Sequence, residues 1–137
     1  MKRLVAATLL FASFHACAEW TYIQNSEPGR FYYDPSSIKR HDRYVDILTL
    51  FDMNNPYELM GKIVQSQTGT DIYDCKAKKN KTLKIADYAE KQGKGEVILA
   101  FDIKNAKWSK VAKDSNSGTL YEILCLPSNS GVLLNFS

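Results

Sequence analysis

Beyond its first 18 residues the chain holds one histidine, His41, and two cysteines, Cys75 and Cys125. That scarcity counts against a structural zinc site, which normally takes four Cys or His ligands. No Gly-x-Ser-x-Gly nucleophile elbow occurs, and Gly93-x-Gly95 lacks the remainder of a phosphate-binding loop and reads as a hairpin tip. Charge of one sign is also missing. Of 18 basic side chains against 15 acidic ones, two basic ones fall in the first three residues, leaving a surplus of one, too small for general nucleic-acid binding. No cofactor is implied by any of these counts.

Long apolar runs are absent as well. Lys2-Arg3 precede an uncharged stretch from Leu4 to Phe14, about half of the roughly 20 residues that cross a bilayer. A positive start and a short apolar run describe a secretory leader, residues 1–18, rather than an anchor. Ala16 and Ala18 supply the small residues of a cleavage site, so the mature chain is expected to begin at Glu19, without Cys17. The rival is an outer-membrane lipoprotein acylated at Cys17. That site wants an aliphatic residue and a small one ahead of the cysteine, where this chain has Phe14 and His15. The product is expected in the periplasm or outside the cell, with no transmembrane segment in the mature chain.

Residues 19–137 suit one domain with a modest core. Export places Cys75 and Cys125 where a disulfide persists, and closing a loop of about 50 residues would restrict the unfolded chain by roughly 4 kcal/mol. Two buried thiols or a metal site are the alternatives.

Strand signals fill most of the chain. Trp20 to Gln24 alternates and ends at the turn signal Pro28-Gly29. Phe31-Tyr32-Tyr33 follows and is expected to stop at Asp34-Pro35-Ser36-Ser37. Tyr44 to Phe51 is the strongest strand, with Val45, Ile47 and Phe51 on one face and a break at Asp52 to Pro56. Lys62–Gln67 and Thr70–Cys75 read as separate pieces around Thr68-Gly69. Leu83–Ala89 and Val97–Phe101 flank a glycine-rich tip, and Trp108–Val111 is a short strand. Leu120, Ile123 and Leu124 then sit at helical spacing behind a cap at Ser115 or Ser117, with Pro127 as the stop. The predicted fold is α+β: an antiparallel sheet of about six strands with a short C-terminal helix packed on it and tied by the disulfide.

The order Trp20-x-Tyr22, Tyr33-Asp34, Ile38, Val45-Asp46, Asp74-Cys75, Gly93-x-Gly95, Trp108-x-x-Val111 and Leu120-x(4)-Cys125 resembles the surface-adhesin protein E family of small exported bacterial proteins. The resemblance covers nearly all of the mature chain. It implies a six-stranded antiparallel sheet with a C-terminal helix, and a founder that is an outer-membrane lipoprotein, binds host matrix and plasma proteins and can dimerise. The leader departs from that pattern at the lipoprotein site.

Three features are candidate sites. Lys76, Lys78, Lys79 and Lys81 put four cations within six residues, enough to attract host matrix proteins or acidic polysaccharides, though such a run also serves as a solvated turn that discourages strand pairing. Among Trp20, Tyr22, Phe31, Tyr32 and Tyr33, most are expected in the core. Adjacent Tyr32 and Tyr33 must point to opposite faces, which leaves Tyr32 as a candidate contact residue. His41, within Lys39-Arg40-His41-Asp42-Arg43, would anchor a small envelope hydrolase only if a nucleophile and an orienting group converge on it. The primary expectation is a non-enzymatic binding or envelope protein of adhesin type. The others are that hydrolase and a structural protein that assembles through a sheet edge.

Overall fold

The computed structural model describes residues 19–126. The expected leader, with Ala16, Cys17 and Ala18 at its cleavage site, lies outside these residues, and so does Pro127. Six strands follow one another as an antiparallel meander: β1 (Thr21–Ser26), β2 (Gly29–His41), β3 (Tyr44–Leu59), β4 (Lys62–Asp74), β5 (Lys79–Tyr88) and β6 (Val97–Asp102). A short β7 (Ser109–Lys110) pairs with β5 beyond the end of β6, and the helix α1 (Asn116–Cys125) closes the described chain. This is the predicted α+β arrangement.

Three expected strand ends fall within longer strands, two of them as irregularities. At Asp34 the register of β2 against β3 jumps from Asp34–Leu48 to Lys39–Asp46. Side chains stand in for the lost ladder: Asp34 accepts from the Ser36 amide and hydroxyl, while the Ser37 hydroxyl donates to the Asp34 carbonyl and accepts from the Leu48 amide. Pro35, lacking an N–H, is exposed there, in the bulge setting that suits proline. The second irregularity lies between Asp52 and Tyr57, where Asn54 turns back to bond the carbonyls of Glu27 and Pro28. Thr68-Gly69 forms no break at all, because both residues pair on either side, with β3 and with β5.

Strand alternation gives the sheet two unlike faces. On one, Val45, Ile47 and Tyr73 pack against Leu120, Tyr121 and Leu124 of α1, with Phe31, Tyr33, Ile38 and Val111 at the margin. Phe51 shares this face but is half-buried, beyond the helix. Ser115 caps α1, accepting from the Gly118 amide, and Arg40 donates from Nη1 to the Leu124 carbonyl at the other end. Cys75 and Cys125 are bonded, with Cα atoms 5.2 Å apart, and the Tyr121 hydroxyl donates to the Cys75 carbonyl. Helix and sheet are therefore tied covalently at the turn between β4 and β5.

The second face carries Tyr44, Asp46, Leu48 and Leu50 of β3 beside Thr68, Thr70 and Ile72 of β4. Part of it is covered by the β5–β6 connection, a single 3-10 turn at Lys91–Gly93. Between that turn and the far end of the sheet this face is open.

Candidate binding surface

The predicted lysine run forms the turn between β4 and β5. Lys76 and Lys78 are exposed on it, and Lys79 and Lys81 begin β5 half-buried. Lys78 adopts positive φ, and its carbonyl accepts from the Val111 amide, which brings β7 alongside. Lys110 of β7 then stands directly opposite Lys79. Like charges at opposed strand positions repel. Among the described residues none of these five lysines forms an ion pair.

The same end of the sheet carries aromatic rings. Trp108 stacks on Tyr44, with centroids 5.9 Å apart and planes 25° apart, and His41 lies 5.9 Å from the other side of the series, against Tyr44. Lys81 Nζ stands 4.5 Å from the centre of the Trp108 ring, and the Arg43 guanidinium 5.7 Å from that of Tyr44. Cation–π contacts of this kind hold cations in place without neutralising them.

Arg43 also fixes the two adjacent turns. Its Nε and Nη2 donate to the two carboxylate oxygens of Asp74, each at 2.8 Å, and Asp74 accepts from the Ala77 amide as well. The bidentate bond holds the Asp74 carboxyl below the usual aspartate range and raises Arg43. Asp74 also stands opposite Lys79 in the β4–β5 ladder, but both of its carboxylate oxygens bond Arg43 rather than a lysine.

Among the described residues, His41 is brought to a carboxylate and not to a nucleophile. Its side chain is half exposed, and Nε2 meets Asp46 Oδ1 at 2.9 Å. That pair supplies an orienting carboxylate, but among the described residues no serine or cysteine is a hydrogen-bond partner of the ring. Tyr32 is not brought to the lysines either. It faces Leu50 across the ladder and meets Tyr22 edge to face at 5.6 Å, whereas the lysines flank Tyr44, about 20 Å further along β3. Tyr33 packs on the helix side, so the two tyrosines diverge as expected.

A family model described as surface-adhesin protein E matches residues 20–126. The chain belongs to the surface-adhesin protein E family. It is similar in fold to the crystal structure of protein E from non-typeable Haemophilus influenzae, at 17% identity and a TM-score of 0.60 over 76% of this chain and 74% of that one. Two further structures of Haemophilus influenzae protein E, one a selenomethionine form, give TM-scores of 0.59 at 18% and 19% identity, covering 76% of this chain and 83% and 84% of theirs. Comparison with curated proteins finds no match. As a member of this family the chain is an adhesin-like surface protein, and no helix among its described residues is long and apolar enough to cross a membrane.

Within this protein E-family sheet the residues behind the resemblance have distinct structural duties. Asp34 builds the first bulge, Asp74 joins two turns through Arg43, and Trp108 anchors the aromatic series. Sequence reasoning missed Tyr44, Arg43 and Lys110 as part of the lysine site. The signal for Lys110 was its place just after Trp108 in a short strand, and only the pairing of that strand with β5 sets it against Lys79.

Proposed function

We propose that this chain is an exported, non-enzymatic binding protein whose basic sheet end holds acidic macromolecules, such as sulfated or carboxylated polysaccharides and the acidic faces of host matrix proteins. The opposition of Lys79 and Lys110, beside Lys76, Lys78 and Lys81 and with no ion-pair partner among the described residues, carries the reading. Such an arrangement costs stability in the free protein, and a bound polyanion relieves the cost. Export of residues 19–137 after removal of residues 1–18 belongs to the same proposal and is supported by the leader pattern and the disulfide.

The test is retention of mature protein on immobilised heparin and on immobilised matrix proteins, at low and rising salt. Binding that weakens steeply with salt, and falls about tenfold or more when Lys79 and Lys110 are both changed to Glu, is the expected result. Retention no better than that of an unrelated protein of similar charge would end the proposal. Intact mass of protein recovered from its native host decides between a chain beginning at Glu19 and a lipid-bearing one beginning at Cys17.

A second reading is self-assembly through β6. Its outer edge is unpaired among the described strands, and Val97 and Phe101 are 49% and 43% exposed. Scattering across a concentration series checks it, and a particle of monomer mass throughout would count against it.

A further inference from the structure

The β5–β6 connection does more than cover Leu50. It roofs a cleft of about 450 Å³ on the open face of the sheet, walled by Trp20 and Tyr88, edged by Gln92 and Lys94, and floored by Leu48 and Thr68. Past Tyr88 the floor continues into a smaller hollow of about 190 Å³ with Thr70, Ala86 and Lys84. The larger volume alone falls within the range of small-molecule sites.

Four polar clamps hold the roof. Ser66 donates its hydroxyl proton to the Glu90 carbonyl and accepts from the Gly93 amide. Asp52 accepts from the Gln92 amide and side chain, Lys91 donates to the Met53 carbonyl, and Trp20 Nε1 donates to the Gln92 carbonyl at 3.2 Å. Gly93, at φ +64°, brings its backbone close enough that a β-carbon would meet Thr68, Leu50 and Trp20 at 3.4 to 3.8 Å. A cleft built this way exists before any ligand arrives, which lowers the ordering cost of binding.

The lining selects a ligand class. Two aromatic side chains, Trp20 and Tyr88, line the cleft together with an aliphatic and hydroxylated floor. Gln92 adds its side-chain carbonyl oxygen, its Nε2 being held by Asp52, and among the lining residues the charged groups are Lys84 and Lys94, both exposed and without an ion-pair partner among the described residues. No acidic side chain lines either hollow. Flat aromatic acids would use the rings but leave the hydroxyls and amide idle. We propose that this cleft is a binding site for a carboxylated pyranose, a hexuronate or a sialic-acid unit within an acidic glycan, stacked on Trp20 and Tyr88 with its carboxylate toward Lys84 or Lys94. The site is separate from the lysine turn and does not depend on that turn binding anything.

Because the chain has only two tryptophans, indole N–H resonances read the two regions independently. Trp108 to Phe assigns the Trp20 signal. Folded mature protein is titrated with a hyaluronan tetrasaccharide, with sialyllactose and with neutral chitotetraose. The expected result is a saturable shift of the Trp20 resonance with at least one carboxylated glycan, none with chitotetraose, and affinity reduced about tenfold or more in K84A/K94A. Which carboxylated glycan binds identifies the source of the sugar. An unmoved Trp20 signal, an equal response to chitotetraose, or unchanged affinity in K84A/K94A would overturn the proposal. A shift confined to Trp108 would also overturn it while supporting the lysine end as the acidic-ligand site. Lys84 and Lys94 lie on the surface, so their replacement leaves the fold available for the measurement.

Discussion

A β-carbon at Gly29 would stand 1.9 Å from the carbonyl oxygen of Asp52, across the ladder between β2 and β3. No side-chain rearrangement relieves a clash with backbone, so Gly29→Ala is expected to cost about 1–3 kcal/mol in urea unfolding. Two aspartates of β4 make opposite contributions to the pH dependence of stability. Asp74, bonded to Arg43, has its carboxyl lowered in the folded state. Its contribution is complete above the unfolded value of about 3.9 and is lost as pH falls through the lower folded value. Arg43→Gln should therefore flatten the acid limb of the stability profile. Asp71 is buried, and burial raises its carboxyl despite the proton that Thr82 donates to it. Between the unfolded value and the higher folded one, rising pH ionises Asp71 more readily in the unfolded chain, so stability declines. Asp71→Asn, which can still accept from Thr82, is expected to raise the melting temperature at pH 7 and to lose that gain near pH 3. A gain that persists at pH 3 would mean that ionisation is not the cause.

At the scale of elements, α1 depends on its attachments. Ten residues are too few for an independent helix, and Ser115, Arg40 and the disulfide secure its two ends. Replacing Cys75 and Cys125 together with Ala is expected to lower stability by about 4 kcal/mol, while Ser115→Ala should cost about 1 kcal/mol, both measured by denaturant unfolding. Amide exchange should localise the early opening of the Cys-free chain to α1. The helix was legible because its cap, its apolar spacing and the second cysteine all agreed. Strand identity was legible too, through alternation and β-branched content around Tyr44 to Phe51. Strand length was not. Asp-Pro-Ser-Ser and Asp-Met-Asn-Asn-Pro carry turn residues, yet in both places hydroxyl, carboxylate or amide side chains take over the ladder's bonds and the strand resumes. Local composition cannot distinguish a turn from a bulge when the deciding partners, Leu48 on β3 and Glu27 in the β1–β2 turn, come from other segments of the chain.

Across the whole molecule, within a near balance of 18 basic and 15 acidic residues, the fold brings one group of lysines together. Lys76, Lys78, Lys79, Lys81 and Lys110 gather at one end of the sheet, while Glu27 and Glu58 are exposed on the turn before Gly29 and near the end of β3, toward the other end. The lysine run itself was plain in the sequence, but its aromatic support and its fifth lysine depend on contacts between distant segments. A localised positive end attracts a polyanion at distances up to a Debye length, about 8 Å at physiological salt, and acts on encounter more than on residence. Reversing the exposed Lys76 and Lys78 to Glu should therefore lower the association rate for heparin by about tenfold at low salt, with a dissociation rate changed much less. Net charge is a confounding variable, and it is removed by adding Glu27→Lys and Glu58→Lys to the same protein. If placement governs binding, this charge-restored variant stays as slow to associate as the double reversal. Recovery of the original rate would show that total charge suffices and that the placement of Lys76 and Lys78 has no special part in capture.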